Sequence, residues 1–471
     1  MRFILPRDWG VYVVSKNYDV IVVGGGVGGY PAAIKLTQHG YKVALIEEHL
    51  LGGECTNYGC IPSKALYRIA HSLDSLTSII GRSIGVGWNV LREWVESIVS
   101  GTRDGIAYLL EKYGVDVIND RAKLSSAEGV IKLSNGEELK AKNIVLALGT
   151  NPKPLPNVGF DGSNIVSNRE IFYLDEMPSS IAIIGGGAIG VELAYIFSSI
   201  GIDVYLVEAL KRLLPMMDSD VGRVIERFLV SKGVKVFKNT LATSINRSSD
   251  GGLEITLSNG SRFTVDKVLV SIGRIPRTKG VGLENANVEI NGYGYIRLYD
   301  GYRTSNPRIY ASGDVIGPPL LAQKAIIESI LVADSIMGKD VNRLEPEKIP
   351  LVIFSGLEIG SIGFSEEQLR AKGIRYRRYK IPLSFLSAIR IKDGRYGFVK
   401  ALIGEDDKFY GLHIVAPNAS EVVSSFLPIY LGKIAIDEAA YTPYPHVTVS
   451  EAVRDFAEYI LGEPIHMFIR K

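Results

Sequence analysis

Tyr18-Asp19-Val20-Ile21-Val22-Val23-Gly24-Gly25-Gly26-Val27-Gly28-Gly29 is the stretch that decides the fold of this 471-residue chain. Tyr18 to Val23 is a continuous apolar run, the pattern of a strand buried on both faces. Gly24, Gly26 and Gly29 then form a G-x-G-x-x-G turn, and a helical stretch follows as far as His39. A second strand runs from Lys42 to Ile46 and ends in Glu47, 18 residues beyond Gly29. Strand, glycine turn, helix, strand and acid in that order make a dinucleotide-binding unit. The glycines permit the tight turn and the close backbone approach. The helix N-terminus faces a pyrophosphate, and the carboxylate takes ribose hydroxyls. A glycine-rich turn alone would be the bland reading, and it leaves the flanking strands and the acid unexplained.

The pattern recurs. Ser180 to Ile184 reads as a strand, Gly185, Gly187 and Gly190 as the turn, and a helix runs to Ser199. Asp203 to Val207 is again a strand and ends in Glu208, 18 residues beyond Gly190. Two such folds in one polypeptide imply two nucleotide cofactors. An acid at the position of Glu208 accepts a ribose 2′-hydroxyl and repels a 2′-phosphate, which favours NAD over NADP. Lys211 and Arg212 lie close enough in sequence to bind such a phosphate, but Arg212 leads into Leu213-Leu214-Pro215 and reads as structural. A third nucleotide element is Pro307 to Val315, a strand leading to the Gly313-Asp314 turn. Asp314 suits the ribityl hydroxyls of a flavin; its bland reading is a helix cap.

Only two cysteines occur in the chain, Cys55 and Cys60, and they follow directly on the first nucleotide element. As a bland pair they would be buried hydrophobes. As zinc ligands they would need two more, and the six histidines (39, 49, 71, 413, 446, 466) show no ligand spacing, so no metal is expected. Beside a bound flavin, a thiol pair can store two electrons. On position we read the two as a redox-active disulfide. A regular helix holds residues i and i+5 too far apart for an unstrained disulfide, so the segment is predicted to be a distorted or late-starting helix around Asn57 and Gly59.

Composition bounds the rest. The length suits roughly three domains at about 150 residues each. With 53 basic and 51 acidic residues, the net charge of +2 implies neither a nucleic-acid nor an anionic-membrane partner. No apolar run reaches the ~18 residues of a membrane span. Residues 1–17 lack a signal-peptide pattern and read as an extension before the fold, so the expected location is cytoplasmic.

Taken together, the chain from Tyr18 to Phe468 resembles the pyridine nucleotide–disulfide oxidoreductases, and within them the dihydrolipoamide dehydrogenases. The resemblance is carried by Gly24 to Gly29 with Tyr30 and Ala32-Ala33; by Gly52 to Lys64 ending Ile61-Pro62-Ser63-Lys64; and by Gly190-Val191-Glu192. It is carried further by Ile272-Gly273-Arg274-Ile275-Pro276, Ala311 to Val315, and Pro445-His446-Val447-Thr448-Val449-Ser450-Glu451. It implies an α/β fold of two Rossmann-like nucleotide-binding domains plus a C-terminal α+β dimerisation domain. The implied boundaries are an FAD domain at 1–151 and 273–346, an NAD domain at 152–272 and a homodimerisation domain at 347–471. In that last region, Tyr396 to Ile403 and Phe409 to Val415 read as a hairpin around Glu405-Asp406-Asp407, with helices from Ser420 and Ser450.

What the resemblance implies for chemistry is specific. FAD contacts fall on Gly24, Gly26, Gly29, Glu47, Lys64, Ala122, Asp314 and Ala322. NAD contacts fall on Gly185, Gly187, Gly190, Glu192, Glu208 and Gly273. His446 is the acid/base and Glu451 orients it, both serving the other subunit's disulfide; their bland readings are a loop histidine and an acidic first helical turn. Cys55 exchanges with substrate and Cys60 faces the flavin. Lys64 pairs with Glu192. The implied activity is oxidation of dihydrolipoamide with NAD. The implied partner is a lipoyl-bearing protein of a 2-oxo acid dehydrogenase or glycine cleavage system. Some positions depart from the family pattern: Glu54 stands for the usual Thr, Val447 for Pro, Leu148 for Thr and Gln323 for His, and Ser355 to Glu358 lacks a Pro. These leave open a reductase of another small disulfide. A catalytically idle flavoprotein subunit is the reading from outside the enzyme class.

Overall fold

The computed structural model describes residues 17–248, 251–392 and 396–468. The expected extension lies outside these residues except for Asn17, which starts the first strand. The chain forms two compact units, each assembled from three stretches. One contains 17–57, Val99–Asn151 and Ile275–Arg343; the other contains Tyr58–Ile98, Pro152–Arg274 and 344–468.

The first unit is built on a mostly parallel sheet. Its strand order is Asp116–Asn119, Val43–Glu47, Asn17–Val23, Glu138–Leu146, with Ile309–Ala311 alongside the end of the last. Lys123–Ser126 and Val130–Lys132 extend it antiparallel. Alternate residues of the first strand enter different cores: Ile21 joins Ala44 and Ile144 on one face, while Val20 and Val22 join Leu45 and Val145 on the other. Burial on both faces explains why this strand reads as an unbroken apolar run.

The second unit repeats the parallel design in the order Lys235–Phe237, Asp203–Val207, Ser180–Ile184, Lys267–Val270, Ile165–Val166. It also holds a five-stranded antiparallel sheet: Leu351–Ile353, Glu358–Gly363, Phe409–Ala416, Phe398–Gly404, Tyr376–Pro382. The predicted hairpin is its centre, turning through Asp407 at φ 58°. Helices Ala419–Tyr430 and Glu451–Leu461 cover it, their Phe426 and Phe456 rings meeting edge-on at 6.1 Å. Among the described helices none is long and apolar enough to cross a membrane.

One buried cluster in this unit was invisible in sequence. Lys400, with no exposed side-chain surface, lies 2.7 Å from Asp218, 3.0 Å from Asp220 and 2.5 Å from Glu366. Asp218 also caps helix Ser219–Ser231 by accepting the Asp220 N–H. Burial pushes the Lys400 ammonium down, but its bonds to Asp218 and Glu366 outweigh this and leave its pKa raised. Burial likewise opposes ionisation of Asp218 and Asp220, and their cationic neighbours overcome it and hold both below the usual carboxylate range. Their contribution to stability is therefore complete above the unfolded-state carboxylate pKa and fades as pH falls through the depressed native values. Lys400→Met strands buried carboxylates, so we expect a loss of ~3–5 kcal/mol, the range for breaking a buried pair. Urea unfolding at pH 7 measures it, and a loss within the scatter of surface substitutions would contradict this account.

Candidate active site

The two nucleotide loops have the same construction. Gly24 and Gly185 hold φ of 109° and 115°, and an added Cβ would sit 2.3 Å from Ala147 O and 2.5 Å from Ser271 O, respectively. At Gly29 and Gly190 a Cβ would fall within 1.9 and 1.8 Å of the Gly24 and Gly185 carbonyl oxygens. No other residue lets each helix start so close to its turn. Gly29 and Gly187 are the N-cap residues of helices Tyr30–Gln38 and Ala188–Ser199, and neither supplies a side-chain cap. The N–H groups of both first turns therefore suit a pyrophosphate.

The acids are held alike too. Glu47 Oε2 accepts the Gly25 N–H at 2.7 Å, and its Oε1 accepts the His49 N–H at 2.8 Å. Glu208 Oε2 accepts the Gly186 N–H at 2.7 Å, and its Oε1 accepts the Leu210 N–H at 2.7 Å. Each carboxylate oxygen keeps a lone pair for a ribose hydroxyl. Arg212 is already engaged, donating to Glu367 at 3.0 Å and to the Pro215 and Met217 carbonyls at 3.1 Å.

The cysteine segment begins beside the first loop, where the Gly52 N–H donates to Gly25 O at 2.8 Å. Cys55 lies in the short helix Gly53–Tyr58, and Cys60 opens the long helix Cys60–Ile80. Between them Gly59 takes φ −133°, ψ −105°, which breaks the helix. This is the predicted distortion. Asn57, buried, donates from Nδ2 to the Leu51 and Gly53 carbonyls at 2.9 Å and accepts from Arg103 at 3.1 Å. Both cysteines are half-buried. A position at a helix N-terminus favours a thiolate at Cys60.

In the second unit Lys64 Nζ reaches Glu192 Oε2 at 2.7 Å and lies over the Phe354 ring, 4.7 Å from its centroid. The Phe354 N–H donates to Glu192 Oε1 at 2.9 Å. In the first unit Asp314 Oδ2 accepts from Thr150 Oγ1 at 2.9 Å, and Ser312 Oγ donates to Gly28 O at 2.6 Å. The turn carrying Asp314 is gripped by a buried pair. Glu328 accepts the Gly313 N–H at 3.0 Å, and Lys324 donates to Glu328 at 3.0 Å and to Gly317 O at 3.1 Å. Ala322 opens the helix bearing that pair, Ala122 lies in the first unit's core, and Gly273 has φ 117° and accepts the Lys153 N–H.

His446 Nδ1 donates to Glu451 Oε1 at 2.9 Å, with the imidazole 82% exposed and the carboxylate 9%. Burial pushes Glu451 up, but the His446 contact and backbone N–H donors outweigh it and hold the carboxyl below its usual value.

Sequence reading missed Thr150, Phe354 and the Lys324–Glu328 pair. The pair's i,i+4 spacing inside an apolar helix was a usable signal. Phe354 contributes a backbone N–H, which leaves no mark on residue type, and a ring that only packing brings under Lys64.

Two dinucleotide folds, with a cysteine segment that starts beside the first loop, are the features of a flavin- and nicotinamide-linked disulfide oxidoreductase. The family model for pyridine nucleotide-disulphide oxidoreductases matches residues 18–329, and the model for that family's dimerisation domain matches 349–457. The chain is 34% identical over 466 residues to a dihydrolipoyl dehydrogenase of Thermus scotoductus, covering 97% of this chain and 100% of that one. It is equally, 34%, identical over 475 residues to leghemoglobin reductase of Glycine max, covering 98% and 91%. The crystal structure of LpdA from Mycobacterium tuberculosis superposes with a TM-score of 0.87 at 26% identity, covering 95% and 100%. The chain belongs to the pyridine nucleotide–disulphide oxidoreductases. It is an FAD-dependent oxidoreductase that works with NAD.

Proposed function

We propose that the protein is a dihydrolipoyl dehydrogenase, oxidising a dihydrolipoyl group on a carrier protein to its cyclic disulfide at the expense of NAD. The observation that carries this is the tether from Gly52 to Gly25, which starts the cysteine segment at the first nucleotide loop. The similarity to the Thermus scotoductus dihydrolipoyl dehydrogenase supports the substrate class.

FAD is held by Gly24, Gly26, Gly29, Glu47, Lys64, Ala122, Asp314 and Ala322. NAD is held by Gly185, Gly187, Gly190, Glu192, Glu208 and Gly273. The domain boundaries follow the sequence reading: 1–151 with 273–346, 152–272, and 347–471. The protein works as a cytoplasmic homodimer in which His446 of one protomer serves the cysteines of the other. The carrier belongs to a 2-oxo acid dehydrogenase or glycine cleavage system.

In the reaction, His446 Nε2 removes a proton from one substrate thiol while Glu451 holds Nδ1 and stabilises the imidazolium. The substrate thiolate attacks Cys55 Sγ, the Cys55–Cys60 bond breaks, and Cys60 leaves as a thiolate. The second substrate thiol, deprotonated in turn, displaces Cys55 and closes the substrate disulfide. The substrate has lost two electrons and the cysteine pair has gained them. Bound FAD and NAD supply the route by which that electron pair leaves the protein. Lys64 and the helix N-terminus at Cys60 favour its thiolate.

A second reading, an NAD(P)H-dependent reductase of another small disulfide, is favoured by the departures from the family pattern at Glu54, Val447, Leu148 and Gln323. A substrate panel separates the two: dihydrolipoamide with NAD against glutathione, coenzyme A and cystine disulfides with NADH or NADPH. We expect dihydrolipoamide with NAD to give the highest kcat/KM, and a faster reaction with any other pair would replace the reading. With Glu208 held by two backbone donors and Arg212 engaged, NAD should outperform NADP. NADP preference would overturn the assigned role of Glu208.

A further inference from the structure

We infer that the backbone N–H of Val447 is a positioning group for the His446–Glu451 pair, aimed at the carboxylate by a strained backbone; the inference rests on the function proposed above. Val447 has φ 61°, in the left-handed region where a β-branched residue is a genuine outlier. The residue is 43% exposed in the protomer, so core packing does not impose the conformation. The conformation does deliver one contact: the Val447 N–H donates to Glu451 Oε2 at 3.0 Å. His446 Nδ1 takes the other oxygen at 2.9 Å. Two consecutive residues thus occupy both carboxylate oxygens and fix a terminal torsion that is otherwise broad.

The turn is closed from both ends. Thr448 Oγ1 donates to Pro445 O at 2.8 Å, and the Glu451 N–H donates to Thr448 O at 3.3 Å. Proline, usual at this position in the family, has no N–H and holds φ near −65°, so it can supply neither the donor nor the conformation. Strain of this kind persists where the surroundings over-determine it, and it clusters at functional sites. Among the described residues, the titratable groups facing Glu451 are His446 from the loop and Arg454, whose Nη2 lies 3.9 Å from Oε1. Arg454 is shared with Asp455 at 2.9 Å and Glu458 at 3.5 Å, and His466 bonds Asp455 at 3.1 Å. Arg454 is the more distant of the two groups, and the Val447 N–H bonds the oxygen that His446 leaves. The depressed Glu451 carboxyl agrees with that donor.

The test uses the full-length holoenzyme and three variants, Val447→Gly, Val447→Pro and His446→Gln. The readouts are kcat for dihydrolipoamide oxidation as a function of pH, and Tm. Val447→Gly keeps the N–H and relieves the strain, so Tm rises and the acid limb stays at its wild-type pH. Val447→Pro removes the N–H and leaves the whole carboxylate charge to His446, so the acid limb moves up and the rate along it falls about tenfold. His446→Gln loses rate at every pH. A proline variant with the wild-type acid limb overturns the inference. Should that variant not fold, a displaced acid limb in Val447→Gly overturns it instead, and an unmoved limb with a raised Tm supports it. If His446→Gln also matches the wild type, the proposed function has failed rather than the role of Val447.

Discussion

Cys55→Ser removes lipoamide turnover, while NADH oxidation by an artificial acceptor through the bound flavin continues. The reason is chemical. A serine Oγ forms no bond to Cys60 Sγ, so the protein has no disulfide for a substrate thiolate to attack and no dithiol in which to hold the electron pair. The change is small in volume. The nucleotide loop keeps its own supports: the Gly52–Gly25 backbone bond, the Glu47 carboxylate on Gly25 and the Asn57 contacts to Leu51 and Gly53. Flavin content should therefore stay near one per chain, which separates a lost thiol from a lost cofactor. Paired assays of lipoamide and of a one-electron dye, each referred to flavin content, make the measurement. Lipoamide activity equal to the wild type would falsify the disulfide role.

His446→Gln slows the thiol half-reaction by ~10²–10⁴-fold, the usual worth of a positioned acid–base group. Glutamine can still donate a hydrogen bond to Glu451, but it takes no proton from a thiol. The side chain is 82% exposed in the protomer, so Tm should change little. Rapid mixing of oxidised enzyme with dihydrolipoamide isolates this half-reaction from the nicotinamide step. An unchanged rate constant there takes His446 out of the mechanism, whatever the steady-state kcat does.

The nucleotide folds were legible nearly residue by residue. Ser180–Ile184 and Asp203–Val207 are strands over the bounds read from their apolar runs, and the first strand gains only Asn17. The strand expected from Pro307 begins later, at Ile309, where pairing with Ile144 begins. The hairpin strand expected from Tyr396 begins at Phe398, opposite Pro382 and Val415. The short helix Ile436–Tyr441 was not anticipated, because six residues carry too little periodicity to register. In the site, the acids Glu47 and Glu208 were found by spacing. Their two backbone donors apiece were not, since a backbone N–H leaves no mark on residue type.

Sequence alone determined the two glycine turns, their acids and the broken helix between Cys55 and Cys60. Each depends on residue type at short range: positive φ and close approach demand glycine, and a tight bend demands a break in helical spacing. Tertiary structure alone decided which distant groups meet. Lys400 and Asp218 stand 182 residues apart; the Lys64–Glu192 pair, 128 apart, was expected only through the family resemblance. Only packing of the strands and helices determines whether such charges are buried together. Val447 belongs to the same class: its residue type argues against a left-handed backbone, and the Glu451 carboxylate it meets accounts for one.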